Sequence, residues 1–339
     1  LAEHPLEQSI HMPGVLAEVE QGGDVLRRQM LCHIGIGFQQ PVPVPIGTSH
    51  DDRYMAVSVQ KAGSDWQEIM VYDLTTLQPT TDLLKWSKFS GAAWYKNGFF
   101  YSRYPEPAAG TAFQSLALGQ YLCYHRIGTP QREDIVVYER PDQPDWGFGG
   151  FVTEDGRYLV ISVSAAAGSR NQILYRDLAE PLAGVRQLIG GFENEYRFVG
   201  NDGPRFYFVT DLEAPRRRLI AIDLRHPERE EWRELIPQAE GTLGAVSYAG
   251  RLFVATYLED ATSRVRLFDR NGQHVRDLAL GGLGSVSGFP GRGDDTETFY
   301  AFTSFTEPGV VYRYDLATGE KREISRARVD FDVNAYDVE

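Results

Sequence analysis

One phrase of sequence recurs along this chain of 339 residues. An apolar run breaks at a short stretch of Gly, Ser, Asp or Pro, resumes as a second apolar run and ends on aspartate. Examples are "RYMAVSVQKAGSDWQEIMVYDL", "RYLVISVSAAAGSRNQILYRDL" and "TFYAFTSFTEPGVVYRYDL". Anchored at Tyr54, Phe100, Tyr158, Phe206, Leu252 and Phe299, the copies are spaced by 46, 58, 48, 46 and 47 residues. A period of roughly 40–50 residues is the length of a four-stranded antiparallel sheet, and repeated sheets of that size bury their faces against one another. Alternation within "YLVISV" and "LFVATY" sends successive side chains to opposite faces, as stacking on two neighbours requires.

The spacing therefore predicts an all-β chain, a β-propeller of four-stranded antiparallel blades with six recognisable units. The recurring aspartates Asp73, Asp177, Asp223, Asp269 and Asp315 are expected to cap their own turns by accepting backbone N–H bonds. The long interval places an insertion in "YPEPAAGTAFQSLALGQ", residues 104–120, expected to be a mobile surface loop. Residues 1–50 read differently from everything after them: a helix near Val15 to Met30, then a proline-alternating extended stretch, with no recognisable blade. The expected division is an atypical N-terminal segment over 1–50, an irregular blade or disordered, and the propeller over 51–339.

Composition agrees with short aromatic strands joined by glycine turns, since the chain carries 18 Tyr, 18 Phe and 34 Gly. With 34 Lys and Arg against 47 Asp and Glu, the net charge of −13 offers no footprint for a phosphate backbone, so nucleic acid is not an expected partner. No run approaches the roughly 18 apolar residues of a membrane span, and Leu1 to Gln8 lacks the pattern of a signal peptide. Cys32 and Cys123 have no metal-ligand or redox spacing and read as reduced thiols. These features point to the cytoplasm, with the periplasm as the alternative. The chain opens on Leu rather than Met, which reads as a processed, trimmed or partial product.

No catalytic residue is expected. A nucleophilic hydrolase needs its serine on a G-x-S-x-G elbow, and "GLGSVSG" at 282–288 sets neither Ser285 nor Ser287 in that frame. Zinc, Walker and dinucleotide motifs do not occur. His4, His11, His33, His50, His125, His226 and His274 lack ligand spacing and read as surface or turn residues, so neither metal nor cofactor is expected. Phe89 in "LKWSKFSGAAWY" and Phe148 in "DWGFGGFV" stand beside glycines that permit close backbone approach. As residues alone, both read as core aromatics.

Several of these segments, with "YHRIGTPQREDIVVYE", "FYAFTSFTEPG" and "VDFDVNAYDVE", resemble the propeller domain of the prolyl oligopeptidase family from about Asp51 to Glu339. The resemblance implies a seven-bladed propeller without an interlocking closing strand. It would sit over an α/β-hydrolase domain whose Ser, Asp and His cleave short peptides after proline. It also implies that the propeller filters peptides and lends apolar side chains to the substrate pocket. By motif match Phe89 of "KFSG" corresponds to one of these and Phe148 of "WGFGG" falls near another. The family's hydrolase domain would begin just after "AYDVE", where this sequence stops, and residues 1–50 match neither the family's first blade nor its N-terminal segment.

The expected function is that of a substrate-gating propeller of a proline-specific serine oligopeptidase, inactive alone, whose partners are the hydrolase domain and short proline-containing peptides. The alternative is a free-standing propeller that binds a protein or peptide without catalysis. An enzyme with its own site in the propeller would need converging titratable groups, and the sequence displays no such cluster.

Overall fold

The computed structural model describes residues 44–327, apart from 61–64, 109, 112–115, 166–167 and 308. The expected helix near Val15 to Met30, Cys32 and the terminal "VDFDVNAYDVE" lie outside these residues. The described part is built of six four-stranded antiparallel sheets, each running through its strands in chain order. The chain divides into two compact units, the first ending at Pro144 and the second starting at Asp145.

The first unit holds two sheets. One comprises β1 (Val44–Thr48), β2 (Tyr54–Gln60), β3 (Gln67–Asp73) and β4 (Gln78–Ser87), the other β5 (Ala93–Tyr95), β6 (Gly98–Arg103), β7 (Tyr121–Arg126) and β8 (Ile135–Glu139). β1 falls inside the segment that showed no blade pattern. Its "VPIGT" is too short and too proline-flanked to read as a strand alone, and pairing with β2 makes it one. The connection from β6 to β7 runs over residues 104–120, so the long repeat interval comes from the insertion that the sequence placed there.

The second unit holds four sheets. In order they are β9 (Trp146–Val152), β10 (Tyr158–Ala165), β11 (Asn171–Asp177) and β12 (Arg186–Ile189); β13 (Tyr196–Asp202), β14 (Arg205–Thr210), β15 (Arg218–Asp223) and β16 (Arg233–Ile236). Then come β17 (Thr242–Ala249), β18 (Leu252–Glu259), β19 (Thr262–Asp269) and β20 (His274–Leu278), and finally β21 (Ser285–Gly288), β22 (Glu297–Thr303), β23 (Val310–Asp315) and β24 (Lys321–Arg326). Each of the six sequence anchors lies in the second strand of its sheet.

Second strands are the most buried because both of their faces are covered. On β14, Phe206 and Phe208 pack with Tyr158, Val160 and Ile173 of the preceding sheet. Tyr207 and Val209, one residue out of phase, pack with Phe253, Ala255 and Tyr257 of the following sheet. β18 repeats the arrangement: Phe253 and Ala255 face back, while Val254 joins Tyr300 and Phe302 of the last sheet. In the first unit Ala56, Ile69 and Val71 pack likewise on Trp94, Phe99 and Tyr101.

The predicted caps form at the end of the third strand. Asp73 Oδ1 accepts the N–H groups of Thr75 and Thr76, and Asp315 Oδ1 those of Ala317 and Thr318. Asp177, Asp223 and Asp269 act in the same way toward Ala179, Arg225 and Asn271.

The second sheet breaks the pattern, because β7 ends on Arg126. Its turn is capped from the neighbouring sheet: Asp82 of β4 accepts the Gly128 N–H at 2.7 Å. Behind that contact lies His125, fully buried, with Nε2 3.0 Å from Asp82 Oδ1 and Nδ1 2.7 Å from Asp134 Oδ1. Tyr101 donates to the other Asp134 oxygen at 2.7 Å and Thr80 to Asp82 Oδ2 at 2.7 Å. His125 thus departs from the surface or turn role expected of it. The sequence pattern could not reveal this, since Asp82 comes from another sheet and Asp134 from the link that leaves β7.

Burial alone would push the His125 imidazolium toward neutrality. Hydrogen bonds and charge from Asp134 and Asp82 outweigh that penalty and raise its pKa to about 9. For Asp82, burial is outweighed by the bonds from His125, Thr80 and Gly128, and its carboxyl is held below the usual range. A folded-state pKa raised from 6.5 contributes stability that is complete below pH 6.5 and lost as pH rises through about 9. We expect the chain to lose on the order of 3 kcal/mol between pH 6 and pH 10, read from urea unfolding midpoints. His125→Gln should be less stable at pH 6 and flatter over the same interval; a parent-like slope would show that His125 is not the titrating group.

Candidate functional site

The six residues Lys85–Ser90 ("KWSKFS") carry two aromatic residues in left-handed backbone, Trp86 at φ 62° and Phe89 at φ 54°. Such a conformation costs a bulky residue about 1–3 kcal/mol and persists only where the surroundings enforce it. Here they do. The Tyr104 N–H donates to the Trp86 carbonyl at 2.8 Å, and Ser87 Oγ donates to the Ser102 carbonyl at 2.9 Å. The Ser102 N–H donates to Ser90 Oγ at 2.8 Å, and Gln120 Nε2 to the Lys88 carbonyl at 3.2 Å.

Aromatic packing stiffens the same segment. Trp66 meets Trp86 edge-on at 5.4 Å and Tyr104 at 5.8 Å, and the Lys88 ammonium lies 4.2 Å from the centre of the Trp66 ring. On this platform Phe89 is 84% exposed. It is not the core aromatic that its composition suggested.

Phe148 has the opposite environment. It lies mid-strand on β9, opposite Val163 of β10, and is only 3% exposed. Phe151 of the same strand is half-exposed. The two are three residues apart in "FGGF", so the pleat sends them to opposite faces, and here only the Phe148 face is covered. Phe151 is a residue that the sequence reading passed over, and the odd spacing was the available signal. Phe89 and Phe148 fall in different units.

Within each unit some of the other exposed apolar side chains lie at the end of the sheets that carries the second turns, while Leu77 and Leu182 lie in third turns at the opposite end. In an antiparallel sheet the second turn and the link leaving the fourth strand lie at the same end. In the first unit that end carries Phe89, Leu116 and Leu118, and in the second it carries Leu258, Leu283 and Phe305, the last 96% exposed. Phe305 is held out by a local turn in which Ser304 Oγ accepts the Thr306 and Glu307 N–H groups.

Ser285 and Ser287 lie in extended β21, opposite Thr303 and Ala301, a geometry unlike a nucleophile elbow. A cavity of about 630 Å³ opens between β19 and the link after β20, but its Arg266 is already paired with Glu259 at 2.8 Å. Cys123 is a buried free thiol whose pKa burial pushes up to about 12, so it is a poor nucleophile. Among the described residues no group of three or more His, Cys, Asp or Glu is placed to hold a metal ion. No described helix is long and apolar enough to cross a membrane.

Against known proteins, residues 46–327 match the family model of the prolyl oligopeptidase N-terminal beta-propeller domain. The prolyl endopeptidase of Elizabethkingia meningoseptica is 32% identical over 283 residues, covering 83% of this chain and 40% of that protein. The dual function macrocyclase-peptidase POPB of Galerina marginata is 31% identical over 303 residues, with the same coverage of each. Among solved structures, one from a structural and mechanistic study of two prolyl endopeptidases superposes with a TM-score of 0.77 at 33% identity, over 85% of this chain and 41% of that one. Prolyl oligopeptidase B of Galerina marginata, bound to a 35mer hydrolysis and macrocyclization substrate, gives 0.78 at 27% identity over 86% and 43%. The chain spans about 40% of the length of the relatives it matches. Six four-stranded sheets, a repeat carried by second strands and a family match across the described residues lead to one assignment: the chain belongs to the prolyl oligopeptidase N-terminal β-propeller family.

Proposed function

We propose that this chain is the peptide-selecting half of a proline-specific serine oligopeptidase. In that role its apolar loop end packs on an α/β-hydrolase domain and Phe89 contacts the bound peptide. The observation that carries the reading is Phe89 itself, an 84% exposed ring fixed on a strained and fully tethered loop. An exposed aromatic has a reason to be rigid when its binding partner arrives with little conformational freedom left to lose. The further exposed Leu116, Leu118, Leu258, Leu283 and Phe305 at the same end of their sheets suit a large apolar partner surface.

In this reading, bond cleavage belongs to a Ser-His-Asp triad on the hydrolase domain, with His as base and Asp orienting it. The propeller contributes selection. Its charge of −13 disfavours acidic peptides.

The test is a peptidase assay on a blocked Gly-Pro substrate with a chromogenic leaving group. It is run on the purified chain, on a separately expressed hydrolase domain and on the mixture. Restricted, size-selective turnover only in the mixture is the expected outcome; silence of the mixture with an active hydrolase domain would favour a free-standing binding propeller instead.

Two substitutions probe the platform. Phe89→Ala in the complete enzyme should raise KM about tenfold with kcat nearly unchanged, because the ring holds substrate and transition state alike. An unchanged KM in a folded protein removes Phe89 from the site. Trp66→Ala deletes the ring shared by Trp86, Tyr104 and Lys88 and should cost roughly 2 kcal/mol in urea unfolding. Amide exchange at 86–90 should rise with it, which a surface-only role for Trp66 would not produce.

A further inference from the structure

The first turns of the four sheets in the second unit differ in length. Between β13 and β14 and between β17 and β18 only two residues intervene, whereas eight, Phe289–Thr296, separate β21 from β22. The long turn does not extend into solvent on its own. Its root is seated by Phe289, buried and stacked on Tyr300 at 5.1 Å. Its body lies on the β17–β18 turn, where the Gly250 N–H donates to the Arg292 carbonyl at 2.8 Å. The approach leaves no room for side chains: a Cβ on Gly250 would fall 2.7 Å from the Asp295 carbonyl oxygen, and one on Gly291 only 2.5 Å from Ala249 Cβ. Asp295 accepts the Arg292 N–H at 2.6 Å and closes the turn on itself.

The tip reaches past this neighbour. The Gly293 N–H is shared by both carboxylate oxygens of Glu154, at 3.0 and 2.8 Å. Glu154 belongs to the β9–β10 turn, so the contact joins the last sheet of the unit to the first and skips two between. The skipped sheets come to the same place. Asn201 at the end of β13 donates to Asp155 Oδ2 at 3.2 Å, and a Cβ on Gly293 would lie 3.8 Å from the Tyr248 ring of β17. The β9–β10 turn thus meets the 289–296 turn through Glu154 and the end of β13 through Asp155, with Tyr248 of β17 beside Gly293.

We propose that the 289–296 turn is a strap with a fixed root and a releasable tip, which closes this end of the space bordered by β9, β13, β17 and β21 while Glu154 holds Gly293. Root and body are fixed by a buried aromatic and by contacts between glycines and backbone, which separate only if the sheets do. The Gly293 N–H at the tip is held by the two carboxylate oxygens of a solvent-exposed side chain. Release therefore occurs at Glu154. The consequence, that a peptide passes this end only when the tip is free, rests on the peptide-selecting reading above; the strap itself does not.

Residue-resolved amide exchange on the intact chain tests it. In Glu154→Ala the Gly293 amide should exchange about tenfold faster while the Gly250 amide keeps its parent rate, the signature of local tip opening. Glu154→Gln, which keeps one carbonyl acceptor, should fall between. A parent-like rate at Gly293 in Glu154→Ala overturns the strap, and so does equal acceleration at Gly250, which would mean that the whole turn unseats. Binding of blocked Gly-Pro peptides is measured alongside, with faster association expected in Glu154→Ala. If no peptide binds either protein, the peptide-selecting reading fails while the exchange data still decide the strap.

Discussion

A four-stranded sheet of some forty residues with two apolar faces cannot be stable alone, and the rest of this structure depends on how that constraint is met. In the second unit β14 and β18 are each shared between two cores: on β14, Phe206 and Phe208 face the preceding sheet while Tyr207 and Val209 face the following one. A buried aromatic of this kind contributes about 1.5–3 kcal/mol, so consecutive sheets are tied by many such contacts. Faces fully committed to neighbours are not available for ligands. Recognition is left to the two ends of the sheets, where the loops are.

The second sheet shows how local chemistry is replaced when it is missing. Five sheets end their third strand on an aspartate that caps its own turn, at a cost of nothing beyond its position. β7 ends on Arg126 and borrows a carboxylate, Asp82, from the adjoining sheet. Bringing that charge inside requires a counter-charge, and His125 supplies it between Asp82 and Asp134. Buried ionic groups are expensive to desolvate and destabilise strongly when one partner is removed. Removing one partner of this network is therefore expected to cost more than the loss of its hydrogen bonds alone.

The two ends of the sheets are specialised differently. One end carries exposed apolar residues on fixed loops, with Phe89 on its strained platform as the most developed case. The other end carries aspartate-capped turns and the strap on Glu154. Strain at Trp86 and Phe89 is tolerable because the hydrogen bonds that hold it run to β6 and to Gln120, elements that are themselves anchored in or beside the core.

Sequence determined a good deal of this. Period and alternation are local properties of the chain, and they gave the number of sheets, the second strand of each, the turn aspartates and the 104–120 insertion. The resemblance to the oligopeptidase propellers rested on runs long enough to survive divergence. What only the tertiary structure decided has one physical cause: it depends on partners distant in sequence. β1 becomes a strand by pairing with β2. His125 is held as a buried ion partner because Asp82 arrives from the neighbouring sheet to face Asp134 across its ring. "KFSG" and "WGFGG" look alike as glycine-flanked aromatics, yet one ring is held out and the other buried. Their φ angles and strand neighbours, which no local pattern encodes, make that choice.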